Sequence, residues 1–208
     1  MRVLVYSDVH GNLPAFEAML RRVGNCDLYI SLGDLVNYGP WSNECVELAL
    51  SLSPSILLMG NHEEAFIRGD YKGAKLVEQF FNMTYPNFRY LNEIHDFKMS
   101  ARLGNYQFIH TIEGRYIYPD TNIELLDNFF IGHSHYQFSY ENNDFRLNNV
   151  GSVGQNRQDL NTICYGIYDL DKNKVKLESL YYDASFLIHE LRIRGYPIDC
   201  INYYSSKL

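Results

Sequence analysis

Residues 3–12 read Val3-Leu4-Val5-Tyr6-Ser7-Asp8-Val9-His10-Gly11-Asn12. The apolar half of this run predicts a buried strand, and the polar half places a carboxylate, an imidazole and a glycine directly after it. In open α/β sheets, ligands gather at the carboxyl ends of the strands. We therefore expect a functional site that begins at Asp8 and His10.

The same pattern, an apolar run followed by oxygen or imidazole donors, recurs four more times. Because each group follows a predicted strand, the donors should converge at one edge of the fold. The five predicted strands run from Val3 to Tyr6, Leu28 to Leu32, Ile56 to Met59, Tyr106 to Ile109 and Asn128 to Ile131. The donors after the later four are Gly33-Asp34, Gly60-Asn61-His62-Glu63, His110 and Gly132-His133-Ser134-His135.

Donors of this kind indicate a two-metal hydrolase site. A phosphate ester is anionic and repels a nucleophile, so two divalent ions are needed to neutralise its oxygens and stabilise the leaving oxygen. Two neighbouring cations also repel each other, and Asp34 is the natural carboxylate to bridge them. Nitrogen and oxygen donors without thiolate suit manganese, iron, cobalt, nickel or zinc, and the residue types alone leave these open.

On these motifs the chain resembles the calcineurin-like metallophosphoesterase superfamily, and within it the small prokaryotic phosphodiesterase-like branch. The similarity runs from Arg2 through the segment Asn149-Val150-Gly151-Ser152-Val153-Gly154-Gln155, and more weakly to the C-terminus. The resemblance implies an α/β (α+β) fold in which two packed mixed β-sheets are flanked by helices. We expect one domain over residues 1–208, because the chain is long enough for one substantial core.

The resemblance also implies how two divalent ions are held, with manganese favoured and iron, zinc, nickel or cobalt as alternatives. One ion would be bound by Asp8, His10, Asp34 and His135, and the second by Asp34, Asn61, His110 and His133. A hydroxide that bridges the ions would then attack phosphorus in line.

Asp34 and His62 are the expected catalytic residues. In the family the histidine of Gly-Asn-His, here His62, is not a ligand but faces the substrate, where it protonates the leaving group or holds a phosphate oxygen. Glu63 stands where an acidic residue often orients that histidine, and the adjacent Glu64 is the alternative. Asn12 is a further candidate for substrate binding, although a residue after Gly11 can equally shape a turn.

Two departures from the family pattern bear on function. His110 is followed by Thr111 where many members have glycine, so a threonine side chain must fit beside the second ion. Serine/threonine phosphatases carry an Arg-Gly pair shortly after Gly-Asp, and that arginine grips phosphate. This chain has Asn37-Tyr38-Gly39-Pro40 there, which argues against that branch.

We therefore expect a small phosphodiester or a nucleotide, such as a dinucleoside polyphosphate, as the substrate. The alternative is a phosphomonoesterase or protein phosphatase. An alternative of another class is a non-catalytic protein-binding scaffold with this fold, which is disfavoured because the chain retains every implied ligand and His62. Rings after two of the ligands could pack a nucleobase. These rings are Tyr116, Tyr118, Tyr136 and Phe138.

Composition limits the partners and the compartment. The 208 residues carry a net charge of −7 without a basic run, so a long nucleic acid is a disfavoured substrate. Four widely spaced cysteines suggest a reducing cytoplasm, and the first strand begins without a signal region. No apolar stretch approaches the roughly 18 residues of a membrane helix. The residues leave the oligomeric state open, including a homo-oligomer.

Periodicity and turn residues predict the remaining elements. Helices are expected from Leu13 to Val23, from Asn43 to Leu52 with Ser42 as a cap, over the site mouth between Gly69 and Pro86, and from Ala184 to Arg194 before Gly195. Hairpins are expected around Leu103-Gly104-Asn105, Glu141-Asn142-Asn143-Asp144 and Asp171-Lys172-Asn173. Gly151 and Gly154 are expected to allow a tight turn. His95 and His189 are left outside the site, whereas Arg115 is expected to be exposed to solvent, with contact to phosphate as the alternative.

Overall fold

The computed structural model describes residues 1–142 and 144–208, which form two five-stranded sheets and seven α-helices. The strands are β1 (Arg2–Tyr6), β2 (Leu28–Ser31), β3 (Ser55–Leu57), β4 (Ser100–Leu103), β5 (Tyr106–Ile109), β6 (Asn128–Ile131), β7 (Gln137–Glu141), β8 (Arg146–Val150), β9 (Thr162–Asp169) and β10 (Lys174–Tyr181). The helices are α1 (Leu13–Val23), α2 (Ser42–Ser51), α3 (Asn61–Arg68), α4 (Lys75–Thr84), α5 (Leu91–His95), α6 (Ser185–Ile193) and α7 (Ile198–Ser205), with a 3₁₀ turn at Tyr85–Asn87.

The first sheet has the order β10-β9-β1-β2-β3. β1, β2 and β3 are parallel, because α1 and α2 carry the chain back between them. β9 pairs antiparallel with β1 and with β10, which makes the sheet mixed. The carboxyl ends of β1, β2 and β3 therefore lie at one edge of the sheet.

The second sheet has the order β4-β5-β6-β8-β7. Its three central strands are parallel, and its two edge strands are antiparallel to their neighbours. The predicted architecture of two mixed sheets flanked by helices is confirmed. The loop after β6 meets the loop after β1, since His133 N–H donates to Asp8 Oδ2 at 2.9 Å. Within each sheet the loops are joined as well, since Gly132 N–H donates to His110 O and Asp8 N–H donates to Gly33 O.

Alternation along β1 shows where the cores lie. Val3 and Val5 pack with Phe108, Phe130 and other side chains of the second sheet, and so form the layer between the sheets. Leu4 and Tyr6 face the opposite way, into a larger cluster with the helices. A third, smaller cluster covers the outer face of the second sheet and contains Ile117, Leu125, Ile131 and Leu147.

Most predicted elements are confirmed within one to two residues, and α1, β5 and β6 have the predicted bounds. The hairpins at Gly104 and Lys172 are confirmed, whereas Asn143 of the third predicted turn lies outside the described residues. α3, α5 and α7 were not predicted. Ser42 does not cap α2: the helix already includes it, and its hydroxyl accepts a hydrogen bond from Asn37 N–H at 3.0 Å.

Between residues 1 and 142 and between 144 and 208, no helix is both long and apolar enough to cross a membrane.

Candidate metal centre

Three donors after β1 and β6 form a group that we call site 1. It consists of Asp8, His10 and His135, all buried. Asp8 Oδ1 lies 3.0 Å from His135 Nε2 and 3.6 Å from His10 Nε2, and the two Nε2 atoms are 3.2 Å apart. One oxygen and two nitrogens thus face the same small space.

A second group, site 2, consists of Asn61, His110 and His133, which follow β3, β5 and β6. His110 Nε2 lies 3.1 Å from Asn61 Oδ1 and 3.2 Å from His133 Nδ1. Asn61 occupies the first turn of α3, so the helix start fixes where its amide oxygen points. An amide oxygen and two imidazole nitrogens again converge.

Asp34, which follows β2, lies between the two sites. Its Oδ2 atom is 3.8 Å from His10 Nε2 of site 1 and 3.2 Å from His110 Nε2 of site 2. Its Oδ1 atom accepts the His62 backbone N–H at 2.9 Å. The structure therefore brings all seven residues named from the sequence together in the two predicted groups, with Asp34 in the position of a bridging carboxylate.

Backbone carbonyl groups set the tautomers of three of these histidines. His10 Nδ1 lies 3.1 Å from Val36 O, His110 Nδ1 lies 3.1 Å from Leu32 O, and His135 Nδ1 lies 2.6 Å from Gln155 O. A carbonyl oxygen only accepts hydrogen bonds, so each Nδ1 must carry the proton and each Nε2 presents a lone pair to the centre. This arrangement is typical of metal-binding histidines.

Lone pairs that face one another repel unless a cation lies between them. Asp8 Oδ1 also lacks a positively polarised partner. This oxygen is buried and accepts no hydrogen bond from the described residues. A buried carboxylate oxygen without a donor is costly. Residues of this type in this geometry fit two divalent ions, and the absence of thiolate among them matches the sequence prediction.

The electrostatics of His110 agree with this interpretation. Burial lowers the pKa of His110, but the carboxylates of Asp34 and Asp8 outweigh it and raise the pKa to about 10. Without an ion, Nε2 therefore holds a proton at neutral pH, and its lone pair would become available when a metal ion displaced that proton. By contrast, burial and the neighbouring His110 lower the pKa of His133 to about 4, so this ring is neutral and free to act as a ligand.

His62 differs from the ligand histidines in its tautomer. Asn37 Oδ1 accepts Tyr38 N–H at 2.7 Å, so Asn37 Nδ2 must donate to His62 Nδ1, which lies 2.9 Å away. His62 Nδ1 is then an acceptor, and its Nε2 carries the proton. Burial lowers the pKa of His62 to about 3, which keeps the ring neutral. His62 lies close enough to His10 and Asp34 to be a ligand, but its protonated Nε2 suits hydrogen-bond donation.

A family model described as calcineurin-like phosphoesterase matches residues 1–174, which contain every residue of the two sites. The chain belongs to the calcineurin-like phosphoesterase family. It is accordingly a hydrolase that acts on phosphoric esters, in a family that depends on two metal ions.

The similarity to other proteins covers nearly the whole phosphoesterase chain. An uncharacterized protein of Methanocaldococcus jannaschii is 27% identical over 215 aligned positions, which cover 87% of this chain and 88% of that protein. The crystal structure of a metallophosphoesterase from Sphaerobacter thermophilus has a TM-score of 0.82 at 26% identity and covers 100% of this chain and 99% of that one. A hypothetical protein from Pyrococcus horikoshii OT3 shares the fold, with a TM-score of 0.83 at 15% identity and coverage of 98% and 97%.

Glu63 of the phosphoesterase holds the loop that carries Asp34. Its buried carboxylate accepts four backbone N–H groups, from Asp34 and Leu35 at 2.7 Å, Gly60 at 2.8 Å and Val36 at 3.3 Å. Burial and the charge of Asp34 raise the pKa of Glu63 to about 7, and the N–H groups of Asp34 and Gly60 oppose this rise. Glu63 thus fastens the Asp34 loop to the start of α3.

Neither of the two candidate acids orients His62. The four Glu63 contacts are all to backbone, and Glu64 is half-exposed at a groove beside Met59 and Asn61. Asn37 takes that role. The sequence had pointed to Asn37 only as part of the segment that replaces the phosphatase Arg-Gly pair, and its spacing from His62 gave no signal of the contact.

Asn12 is the N-terminal cap of α1. Its Oδ1 atom accepts Ala15 N–H as the cap of α1, and its Nδ2 atom donates to Gly154 O at 2.8 Å and to Tyr182 Oη at 2.6 Å. The side chain is fully buried, and its hydrogen-bonding groups are engaged within the fold. These contacts give Asn12 a capping role, which agrees with the turn-shaping alternative and with its position directly before the helix, and its contact with substrate stays a prediction.

Glycines near the site have two different roles. Gly151 has φ of 76°, the left-handed backbone that was predicted for a turn. Gly154 is needed for a close approach instead, because a Cβ there would lie 1.8 Å from Val9 O. Thr111 fits after His110 because its hydroxyl donates to Arg115 O at 2.5 Å and stays within its own loop.

Aromatic rings lie beside the centre, and two of the predicted rings, Tyr116 and Phe138, have different surroundings. Tyr116, half of whose surface is exposed, stacks on His133 with ring centroids 4.2 Å apart. Phe138 instead packs in the third core cluster. Two rings that the sequence did not single out also border the site: Tyr38 lies 4.7 Å from the His10 ring, and Tyr71 stacks on His62 at 5.7 Å.

Proposed function

We propose that this phosphoesterase hydrolyses a small phosphodiester, or a phosphate linkage of a nucleotide such as a dinucleoside polyphosphate. The observation that carries the proposal is the convergence of buried lone pairs on two neighbouring points that share Asp34. The two proposed ion sites are Asp8, His10, Asp34 and His135, and Asp34, Asn61, His110 and His133. We propose manganese as the ion, with iron, zinc, nickel or cobalt as the alternatives that oxygen and imidazole donors without thiolate also suit.

Bound divalent ions would neutralise the phosphate oxygens and supply a reactive water at neutral pH. The protein's own contribution is to fix the ligands before substrate arrives. Leu32, Val36 and Gln155 orient the imidazoles through their carbonyl groups, and Glu63 holds the loop of Asp34. His62, oriented by Asn37, presents its Nε2–H to the reacting phosphate, where it donates to a nonbridging or leaving oxygen.

The surface beside the centre has room for an ester group of the substrate. A groove of about 220 Å³ adjoins site 2 and is walled by Met59, Met99 and Ile109 next to Asn61 and His110. Its lining is more apolar than polar, which suits a ring or an apolar chain. Tyr116, which is half-exposed and stacks on His133, offers a second surface. A diester places a group on each side of phosphorus, and a monoester would leave one of these surfaces unused.

The test is a matched pair of substrates. After exhaustive dialysis against chelator, the protein should hydrolyse neither bis-nitrophenyl phosphate nor nitrophenyl phosphate, and manganese should restore activity with a higher kcat/KM for the diester. Activity that survives chelation would refute the two-metal centre. A clear preference for the monoester would replace the diester proposal with a phosphomonoesterase or protein phosphatase.

A further inference from the structure

Arg157 is a cation at the edge of the centre that the proposed chemistry does not use. It follows Gln155, whose carbonyl accepts the His135 Nδ1 proton. The segment before it is hydrogen-bonded to the backbone of the site 1 residue Asp8. Gly154 N–H and the Ser152 hydroxyl both donate to Asp8 O. The backbone that leads to Arg157 is therefore positioned by the same contacts that position the ligands.

The guanidinium group lies against the aromatic rings of the site. Its Cζ atom is 5.3 Å from the centroid of the Tyr116 ring, and Tyr116 stacks on His133. The guanidinium thus packs on Tyr116, which in turn stacks on the site 2 residue His133.

Arg157 is half-buried, yet it forms no ion pair with any carboxylate in residues 1–142 or 144–208. By contrast, Arg102, Arg146 and Arg194 each pair with an acidic side chain. Partial burial of a charge without a counter-charge is unfavourable. A second cation lies on the same side, since Lys207 Nζ donates to Arg157 O at 3.0 Å and lies 5.0 Å from the Tyr203 ring centroid.

We propose that Arg157 binds a phosphate group of the substrate other than the one that is cleaved. This proposal rests on the proposed function and narrows its substrate class to nucleotides with a phosphoanhydride linkage, such as dinucleoside polyphosphates. A guanidinium group binds phosphate through two parallel hydrogen bonds, and packing on Tyr116 holds its plane in place. Arg157 then supplies the positive charge that binds an anionic substrate, since the chain lacks the arginine that phosphatases have after the position of Asp34.

The first experiment is a binding measurement that needs no turnover. The non-hydrolysable methylene analogue of adenosine diphosphate is titrated calorimetrically into the manganese-loaded protein and into Arg157→Gln. We expect Kd to rise roughly 10-fold or more in Arg157→Gln, the scale of one charge-assisted contact. Arg157→Lys should lie between the two, because it keeps the charge and loses the paired geometry. Arg115→Gln is the matched control, since Arg115 is an exposed arginine beside Tyr116.

The second experiment compares two substrates. Arg157→Gln should raise the KM for diadenosine tetraphosphate at least about 10-fold more than the KM for bis-nitrophenyl phosphate, which has no second phosphate. Equal analogue affinity in Arg157→Gln and the parent, or no binding by a folded parent, would overturn the proposal. If the parent bound the analogue through Arg157 but cleaved no ester with any metal, the proposed function would fail while the assignment of Arg157 stood. Thermal melts establish that each variant is folded.

Discussion

Replacing Glu63 by glutamine tests whether this side chain holds the Asp34 loop. The parent carboxylate uses one oxygen for the N–H groups of Asp34 and Gly60 and the other for those of Leu35 and Val36. A glutamine has one amide oxygen, so it can serve only one of these pairs. Its NH₂ group would face the other two N–H groups, donor against donor, in a fully buried position.

The expected cost follows from counting the buried N–H groups that lose their acceptor. Two are lost in Glu63→Gln, and each unsatisfied buried donor costs about 1–3 kcal/mol. The free energy of unfolding should therefore fall by about 2–6 kcal/mol, a large part of the roughly 5–15 kcal/mol of an ordinary domain. Because the displaced loop carries Asp34, affinity for both ions should fall as well.

Urea denaturation of the metal-free protein measures the free energy of unfolding, and manganese titration measures the affinity for the ions. Glu64→Gln is the control, because Glu64 is the neighbouring acid and is half-exposed; its effect should stay within about 0.5 kcal/mol. Parental stability and metal affinity in Glu63→Gln, together with a lowered kcat, would refute this reasoning. That result would mean that Glu63 acts on His62, as the sequence had suggested.

The other predictions concern the residues at the centre. Asp34→Asn removes the one negative charge placed between the two ions, so both should bind more weakly in a metal titration; retention of two ions with parental affinity would exclude the bridge. His62→Ala should lower kcat by roughly 100-fold without changing metal content, and the loss should shrink for esters of nitrophenol, which need less help at the leaving oxygen. Loss of an ion from that variant would instead make His62 a ligand. Asn37→Ala should lower kcat by about 10-fold with metal content unchanged, because His62 loses the donor that fixes its tautomer; parental kcat would show that the contact is not needed.

The positions of the ligands were predictable because they depend on two local rules. Apolar runs such as Val3 to Tyr6 mark buried strands, and parallel strands end at a common edge. Donors that directly follow these runs must then meet, whatever the details of the connections. The structure agrees, with Asp8 and His133 brought within hydrogen-bonding distance although they are 125 positions apart.

The contacts that orient the ligands could not be predicted, because most are made by backbone atoms. A carbonyl group such as Leu32 O has no residue type, so no motif records that it fixes the tautomer of His110. Glu63 and Asn37 depend on how the loop after β2 packs against the start of α3, which is a tertiary contact. Arg157 was missed for the same reason: it lies far along the chain from Asp34, where a phosphate-binding arginine had been sought.

Backbone conformation shows how the fold itself contributes to the centre. Left-handed φ values between 49° and 65° occur at five of the ligands, and for residues other than glycine this conformation costs roughly 1–2 kcal/mol each. These ligands are Asp8, His10, Asp34, His133 and His135. Their backbones are fixed by hydrogen bonds between loops, as when His10 N–H donates to Asp34 O at 2.9 Å. The packed sheets thus hold mutually repelling lone pairs in strained loops, and bound ions would remove that repulsion. Metal binding should therefore stabilise the folded state as well as permit catalysis.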